Sequence, residues 1–286
     1  MLTNYFVGFR SLRARDSSLS AHRLLYRVLA WRMWQIVGGH PIIALHGQSR
    51  IRLEAKPGDR GIRAGIFIFR DGFEPSVRHA IDRFVAPGAC CYDIGANLGL
   101  WTLRMAERAT DAGRVHAFEP LTRNIRALEE NIALSRATNT CVLPFALGRV
   151  DESATLYVPD DVGRSALAPE SASDERESVR VRRLDDIWAE QGRPRVGFVK
   201  MDVEGAEPLV LDGGREFFAA IRPVTCCELN PGKLRNMGFV PADVLNAFAA
   251  WRYDVLAWSD RKHDLVAFKP SCDRDEVRDL VFVPLT

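Results

Sequence analysis

The 286-residue sequence lacks the features that mark several classes of protein. No stretch of about 18 residues is free of charged side chains, and no apolar run near the start precedes a small-residue cleavage site. The sequence therefore predicts neither a membrane-spanning helix nor a secretory leader, and we expect a cytoplasmic protein. The six cysteines form no C-x-x-C pair of the kind that binds zinc, which favours reduced and mostly buried thiols.

The sequence also lacks a large net charge. The 39 Lys and Arg residues and the 37 Asp and Glu residues leave a net charge of +2, which gives no reason to expect a nucleic-acid ligand. The charge is uneven along the chain, however, because residues 1–74 contain twelve basic and five acidic residues. This imbalance predicts an amino-terminal region that faces something anionic.

The hydrophobic content of 47% allows one large core, and we expect a core domain over residues 76–286 after an extension over residues 1–75. Over residues 19–37 of the extension, apolar residues recur at helical spacing between Arg23, Arg27 and Arg32. A basic amphipathic helix of this kind lies on an anionic membrane surface, pairs two copies of the chain in a homodimer, or packs on its own domain. The sequence leaves these three alternatives open.

The rest of the extension predicts a small β-hairpin. Residues 49–70 are rich in β-branched and aromatic residues between turn signals, and residues 66–69 form the clearest strand. Residues 77–85 then suit a helix, which Pro87 and Gly88 end.

After Gly88, short apolar runs alternate with helical stretches, which is typical of an α/β fold with a doubly wound, mostly parallel sheet. We expect helices that begin near Asn97, Thr122, Glu204 or Ala206, and Pro241. The expected strands cover residues 90–93, 114–119, 140–146, 196–202 and 224–228.

Two further regions flank this pattern. An insertion over residues 151–184 predicts two strands around a polar loop at residues 160–177, which is either a substrate lid or a surface loop without function. The end of the chain predicts closing strands in hairpin form, over residues 253–258, 265–268 and 280–283.

Four of the expected strands end on a carboxylate. These residues are Asp93, Glu119, Asp202 and Glu228. The carboxyl ends of the strands in a doubly wound sheet share one edge, and ligands bind at that edge. Four neighbouring carboxylates repel one another and are costly to desolvate, so the sequence predicts a functional cleft there.

The loop after the first of these strands, residues 93–99, predicts a nucleoside site. Gly95 and Gly99 let a ligand approach the backbone, and Glu119 follows Gly95 by 24 residues, where it suits a ribose diol. Asn97 stands where dinucleotide-binding loops have a middle glycine, which argues against NAD. The carboxylate of Asp93 suits a ligand with an ammonium and a sulfonium group, as in S-adenosylmethionine.

The sequence resembles the FkbM-like family of class I S-adenosylmethionine-dependent methyltransferases. The resemblance covers roughly residues 72–285 and rests on five motifs in the family's order: YDIGANLG at 92–99, AFEP at 117–120, ALG at 146–148, LDDI at 184–187 and KMDVEGAE at 200–207. It implies methyl transfer to a hydroxyl group of a saccharide or another small natural product. It implies no role for the arginine-rich helix.

The resemblance also implies a cofactor site for S-adenosylmethionine. The loop that contains Asp93, Gly95, Ala96, Asn97 and Gly99 would hold the methionine part of the cofactor. Glu119, next to Pro120, would bind the ribose, and Ala146 and Leu147 would contact the adenine. Asp202 completes the cofactor-binding set.

An acceptor hydroxyl needs a group that takes its proton. Asp202 and Glu204 are the first candidates for a base or an orienting residue, and Lys200 and Glu228 are the second. Two alternatives remain open: a structural cluster of ion pairs, and a Mg²⁺ site made by Asp202, Glu204, Glu228 and Asn230, although we assign no metal. Two other functions also remain open, an NAD-dependent oxidoreductase and a non-catalytic nucleoside-binding protein.

Overall fold

The computed structural model describes residues 20–45, 47–59, 61–158, 175–269 and 277–285. The helices are α1 (Ala21–Val37), α2 (Ile62–Phe69), α3 (Pro75–Phe84), α4 (Leu100–Ala109), α5 (Thr122–Ser135), α6 (Leu184–Glu190), α7 (Glu207–Gly213), α8 (Arg215–Ile221), α9 (Pro231–Asn236) and α10 (Pro241–Ala250). The strands are β1 (Ile42–Ala44), β2 (Arg50–Arg52), β3 (Cys90–Ile94), β4 (Arg114–Phe118), β5 (Thr140–Leu143), β6 (Ala146–Gly148), β7 (Glu152–Val158), β8 (Glu175–Arg183), β9 (Val196–Met201), β10 (Val224–Leu229), β11 (Tyr253–Ser259), β12 (Asp264–Ala267) and β13 (Arg278–Pro284).

An eight-stranded sheet organises the chain, in the order β5-β4-β3-β9-β10-β13-β11-β12. Strands β5, β4, β3, β9 and β10 are parallel, whereas β13 runs antiparallel to both of its neighbours. The chain moves outward from β3 through β4 to β5 and then returns to β9 on the other side of β3. This reversal creates a switch point between β3 and β9, where doubly wound sheets bind ligands. The expected fold class is confirmed.

The parallel strands are apolar because both faces of the sheet are covered. Successive residues Cys91 and Tyr92 of β3 belong to hydrophobic clusters on opposite faces. One cluster packs with α6, α7, α8 and α10, and the other packs with α3 and α4. Prolines begin α3, α9 and α10, where their missing N–H group costs no helical hydrogen bond.

A second, three-stranded sheet has the order β6-β8-β7 and confirms the two strands expected in the insertion. The single strand expected over residues 140–146 is wrong. It is divided into β5 in the large sheet and β6 in the small one, because Pro144 between them has no N–H group to continue a ladder. Most of the polar loop expected at residues 160–177 lies outside the described residues.

The extension differs from the sequence expectation at residues 66–69. This segment is the end of helix α2 rather than a strand, and β2 pairs instead with β1. All four side chains are buried, in a cluster shared with Trp31 of α1 and with Leu98. A short apolar run that is buried on all sides has no periodicity that separates a strand from a helix, so here tertiary packing decides.

The remaining elements follow the sequence expectations closely. The helix expected over residues 19–37 is α1, the helix over 77–85 is α3, and the three closing strands are β11, β12 and β13. Helices expected near Asn97 and Ala206 begin at Leu100 and Glu207. Within the described residues, no helix combines the length and the apolar character needed to cross a membrane.

Candidate active site

The glycine turn after β3 is built by backbone contacts with both neighbouring strands. The N–H groups of Gly95 and Ala96 both donate to the carbonyl oxygen of Phe118, each at 3.0 Å. On the other side, the N–H group of Asp202 donates to the carbonyl oxygen of Ile94 at 3.0 Å. Gly95 has a φ of +82°, and a methyl group there would overlap the carbonyl oxygen of Asp202. Glycine is therefore required both for the left-handed turn and for the close approach of the two strand ends.

The end of the turn is equally constrained. Gly99 has a φ of +88°, and a Cβ atom there would lie 2.5 Å from Cδ1 of Leu128. Helix α4 begins at the next residue, Leu100, so its first N–H groups face the same edge of the sheet. Such N–H groups accommodate a carboxylate or another anionic group.

Glu119 follows β4 directly and is fixed in place by three donors. Its Oε2 accepts a hydrogen bond from the N–H of Asn97 at 2.9 Å, and its Oε1 accepts from the N–H of Leu121 and from Nδ2 of Asn124, both at 3.1 Å. Burial raises the pKa of this carboxyl, and the three hydrogen bonds oppose that shift. The acid and the glycine turn are thus one hydrogen-bonded unit.

Asp93 lies in the interior, with none of its surface exposed. Its Oδ2 accepts a hydrogen bond from Oγ1 of Thr102 at 2.5 Å, and its Oδ1 lies 3.8 Å from Nζ of Lys200. Burial raises the pKa of Asp93, and the Lys200 ammonium opposes this shift. A direct contact between Asp93 and a ligand stays a prediction, and in the described geometry its carboxylate anchors Lys200.

Lys200, on β9, connects the acids of this edge with the glycine turn. Its Nζ donates to the carbonyl oxygen of Gly95 at 3.1 Å and lies 3.4 Å from Oδ2 of Asp202. Burial alone would lower the pKa of Lys200, but Asp202, Asp93 and Glu74 outweigh burial and raise it. The amine stays protonated, so it suits charge neutralisation rather than removal of a proton.

Asp202 directly follows β9, and Glu204 lies in the turn after it. The side chain of Asp202 is 29% exposed beside the glycine turn, whereas Oε2 of Glu204 lies 3.8 Å from Nζ of Lys233. The backbone of Glu204 is in the left-handed region, with φ +57°, which residues other than glycine rarely adopt. Asp202 is therefore the more accessible of the two first candidates.

The buried side chain of Glu207 stabilises this turn by accepting hydrogen bonds from its backbone. Glu207 received no role in the sequence analysis, although the residue ends the motif KMDVEGAE. Its Oε1 accepts from the N–H of Val203 at 3.1 Å and of Gly205 at 3.2 Å. Burial raises the pKa of Glu207 to about 7. A Cβ atom at Gly205 would lie 2.6 Å from the backbone of Lys233, so the turn packs tightly on α9.

Three further acids lie close to Asp202 and Glu204. We name the set the acidic edge: Glu74, Asp202, Glu204, Glu228 and Asp279. Glu228 and Asp279 are paired across β10 and β13. Burial, followed by Asp202 and Glu204, raises the pKa of Glu228 to about 10. Burial raises the pKa of Glu74 to about 8 and that of Asp279 to about 6. These carboxyls are therefore not all ionised at neutral pH.

Sequence reasoning gave no role to Glu74 and Asp279. Oγ of Ser76 donates to Oδ2 of Asp279 at 2.5 Å, and Nε1 of Trp101 donates to Oε2 of Glu74 at 2.8 Å. Asp279 lies near the start of β13, and an antiparallel strand brings its first residues to the edge where the parallel strands end. A polar pair before the apolar run 280–283 is the signal that could have found it.

The Mg²⁺ alternative gains no support at this edge. Among the residues that the structure describes, no group of three or more His, Cys, Asp or Glu side chains has a geometry that could hold a metal ion. Oδ1 of Asn230 already accepts a hydrogen bond from the N–H of Lys233 at 3.2 Å, which caps α9.

The other expected cofactor contacts stay predictions. Leu147 is buried in the large core, while Ala146 and Pro120 are partly exposed. Ala146 is the first residue of β6 in the small sheet. It follows closely after Leu143 of β5, whose carbonyl oxygen accepts a hydrogen bond from the N–H group of Glu119. His116 of β4 contacts Tyr92 edge-on, and burial lowers its pKa to about 4.

Comparison with known proteins gives the same region a family. Methyltransferase sdnD of Sordaria araneosa is 31% identical, over a match that covers 50% of this chain and 67% of that protein. The 31-O-demethyl-FK506 methyltransferase FkbM of Streptomyces tacrolimicus is 28% identical, with 51% and 67% covered.

Solved structures include a methyltransferase FkbM from Methylobacillus flagellatus, which is 19% identical with a TM-score of 0.46 and covers 77% of this chain and 53% of its own. Residues 93–255, more than half of the chain, match the methyltransferase FkbM domain family. The chain therefore belongs to the FkbM methyltransferase family.

Proposed function

We propose that the protein is an S-adenosylmethionine-dependent O-methyltransferase, whose acceptor is a hydroxyl group of a small natural product or saccharide. Membership of the FkbM family supports methyl transfer. The Streptomyces tacrolimicus relative is named as a methyltransferase of 31-O-demethyl-FK506, which is methylation at an oxygen, and this supports a hydroxyl acceptor. The observation that carries the proposal is the hydrogen bond from the N–H group of Asn97 to Glu119. It joins the glycine turn to an acid placed where nucleotide-binding folds bind the ribose hydroxyls.

The residues at the switch point fit S-adenosylmethionine. The positions that side chains would take at Gly95 and Gly99 face Asp202 and Leu128, not a ligand. Glu119, which is bonded to this turn, offers its remaining acceptor position to a ribose hydroxyl. The acidic edge attracts a ligand that carries an ammonium and a sulfonium group. When bound, the cofactor supplies a methyl group on a positively charged sulfur.

The acceptor hydroxyl then needs a base and a fixed orientation. We assign the base to Asp202, because it is partly exposed, adjoins the glycine turn and is held by Lys200 at 3.4 Å. Glu228, with a pKa of about 10, keeps its proton at neutral pH and donates a hydrogen bond to an acceptor oxygen. Lys200 keeps Asp202 in place and balances its charge.

The test is a methyl-transfer assay with methyl-labelled S-adenosylmethionine and a panel of sugars and hydroxylated natural products. We expect a labelled methoxy group, identified by its carbon chemical shift, and a loss of at least about a hundredfold in kcat for Asp202→Asn. Glu190→Gln, at an exposed carboxylate paired with Arg182, is the control and should retain full activity.

Other outcomes would redirect the assignment. A methyl group on nitrogen or carbon would contradict O-methylation while leaving methyl transfer intact. Cofactor binding without turnover on any acceptor would favour the non-catalytic nucleoside-binding alternative. Binding of NAD in place of S-adenosylmethionine would favour the oxidoreductase.

A further inference from the structure

Helix α1 carries an apolar face that no described part of the chain covers. The face follows the helical repeat through Leu25, Leu29, Met33 and Ile36, with Tyr26 and Val37 beside them. Tyr26 is 73% exposed and Ile36 is 77% exposed. Seven of the twelve large exposed hydrophobic residues in the described structure belong to this one helix, so the exposure is concentrated rather than scattered.

The opposite face of α1 is anchored, which fixes the apolar face outward. Leu24 and Trp31 are buried, in the same cluster as Leu98 of the glycine turn. Nε2 of Gln35 donates to the carbonyl oxygens of Lys56 at 2.8 Å and Asp59 at 2.9 Å. Nη1 of Arg27 donates to the carbonyl oxygen of Ile68 at 2.7 Å. The helix cannot turn its apolar face inward without losing these bonds.

The charges around the face indicate what covers it. On the helical wheel, Arg32 and Arg23 border the two sides of the apolar face, and α1 contains no acidic residue. The preceding chain adds Arg10, Arg13 and Arg15 against one acid, Asp16. An apolar face with basic borders is complementary to an anionic lipid surface. Two copies packed face to face would bring arginines together and repel each other.

We propose that α1 docks in the plane of an anionic phospholipid surface, with Leu29 and Ile36 inserted below the headgroups. Tyr26 and Trp34 then lie at the headgroup level, where such side chains are favoured. The arginines on the borders contact the lipid phosphates.

The test is co-sedimentation of the full chain with vesicles of phosphatidylcholine, alone or mixed with phosphatidylglycerol. We expect binding to the mixed vesicles and at least tenfold weaker binding to the neutral ones. Leu29→Asp/Ile36→Asp should lower binding to the mixed vesicles at least about tenfold, because both side chains would carry charge into the lipid. Arg23→Gln/Arg32→Gln should weaken binding to the mixed vesicles only.

The control is Val150→Asp/Val240→Asp, which places two charges at exposed valines elsewhere and should bind like the wild type. Unchanged far-ultraviolet circular dichroism shows that each variant is folded. Equal binding by the Leu29→Asp/Ile36→Asp variant and the wild type would overturn the proposal.

Two other occupants give distinct results. A wild type that ignores vesicles but forms a dimer, dissociated by Leu29→Asp/Ile36→Asp in light scattering, would assign the face to a second copy. A wild type that ignores vesicles, together with a variant without residues 1–19 that binds them, would assign the face to that segment. Either result would overturn the proposal.

Discussion

The carboxylate of Glu119 accepts a hydrogen bond from the backbone N–H of Asn97 at 2.9 Å, so the acid after β4 and the glycine turn after β3 are fixed relative to each other. The sequence separates these residues by 22 positions, and only the parallel pairing of β3 with β4 brings them together. In the proposed function, this arrangement fixes the ribose acceptor beside the glycine turn before any ligand arrives.

Gly95→Ala should destabilise the protein by more than about 2 kcal/mol, because it adds a steric overlap with Asp202 to the cost of a left-handed backbone. Gly88→Ala is the matched control. Gly88 has a similar φ of +81° but no atom within 4 Å of the added methyl group, so it should lose only about 1 kcal/mol. Urea denaturation measures both, and equal losses would show that the approach of the two strand ends is not tight.

Glu228→Gln should change how stability depends on pH. Burial and neighbouring acids raise the pKa of Glu228 from 4.5 to about 10, so between these values the folded state holds a proton that the unfolded state releases. The stability from this group is fully present below about pH 4.5 and falls as pH rises toward 10. Removing the group should therefore raise stability at about pH 8 relative to pH 6, by roughly 2 to 3 kcal/mol.

Urea denaturation of the wild type and the variant at the two pH values measures this effect. The control is Glu190→Gln, because Arg182 lowers the pKa of Glu190 and this group does not produce a loss of stability at rising pH. A wild-type slope that Glu228→Gln leaves unchanged would contradict the raised pKa that burial and the neighbouring acids give Glu228.

Lys200→Met should destabilise the protein by about 3 kcal/mol, because Asp93 would remain buried without its cation. The double variant Lys200→Met/Asp93→Asn should recover part of this loss, since it removes the uncompensated charge. A double-mutant cycle by urea denaturation measures the coupling energy. Strictly additive losses would mean that the 3.8 Å pair contributes nothing to the fold.

Much of the core domain could be predicted from the sequence because its strands are short, apolar and end on acids. Asp93, Glu119 and Asp202 were found in this way, and the structure brings all three to the switch point. The positions of their side chains could not be predicted in the same way. Burial of Asp93 against Thr102 and Lys200 depends on the packing of α4 and β9 around β3, and β9 is far from β3 in the chain.

The errors have equally specific causes. Residues 66–69 satisfy the composition of a strand, but their surroundings in α2 bury every side, so composition alone could not decide. Asp279 could not be predicted from the sequence, because only the sheet topology shows that β13 runs antiparallel and begins at the acidic edge. Glu74 precedes the core domain in sequence, and Trp101 holds it at the acidic edge by a hydrogen bond. No local sequence pattern predicts a bond between residues so far apart.

We propose that the switch point between β3 and β9 binds S-adenosylmethionine through Glu119. Calorimetric titration with S-adenosylhomocysteine, on the wild type and on Glu119→Ala, measures this contact. We predict binding by the wild type and at least about tenfold weaker binding by the variant, as expected for loss of a hydrogen bond to a charged group. No binding by the wild type, or equal binding by the two proteins, would contradict the claim.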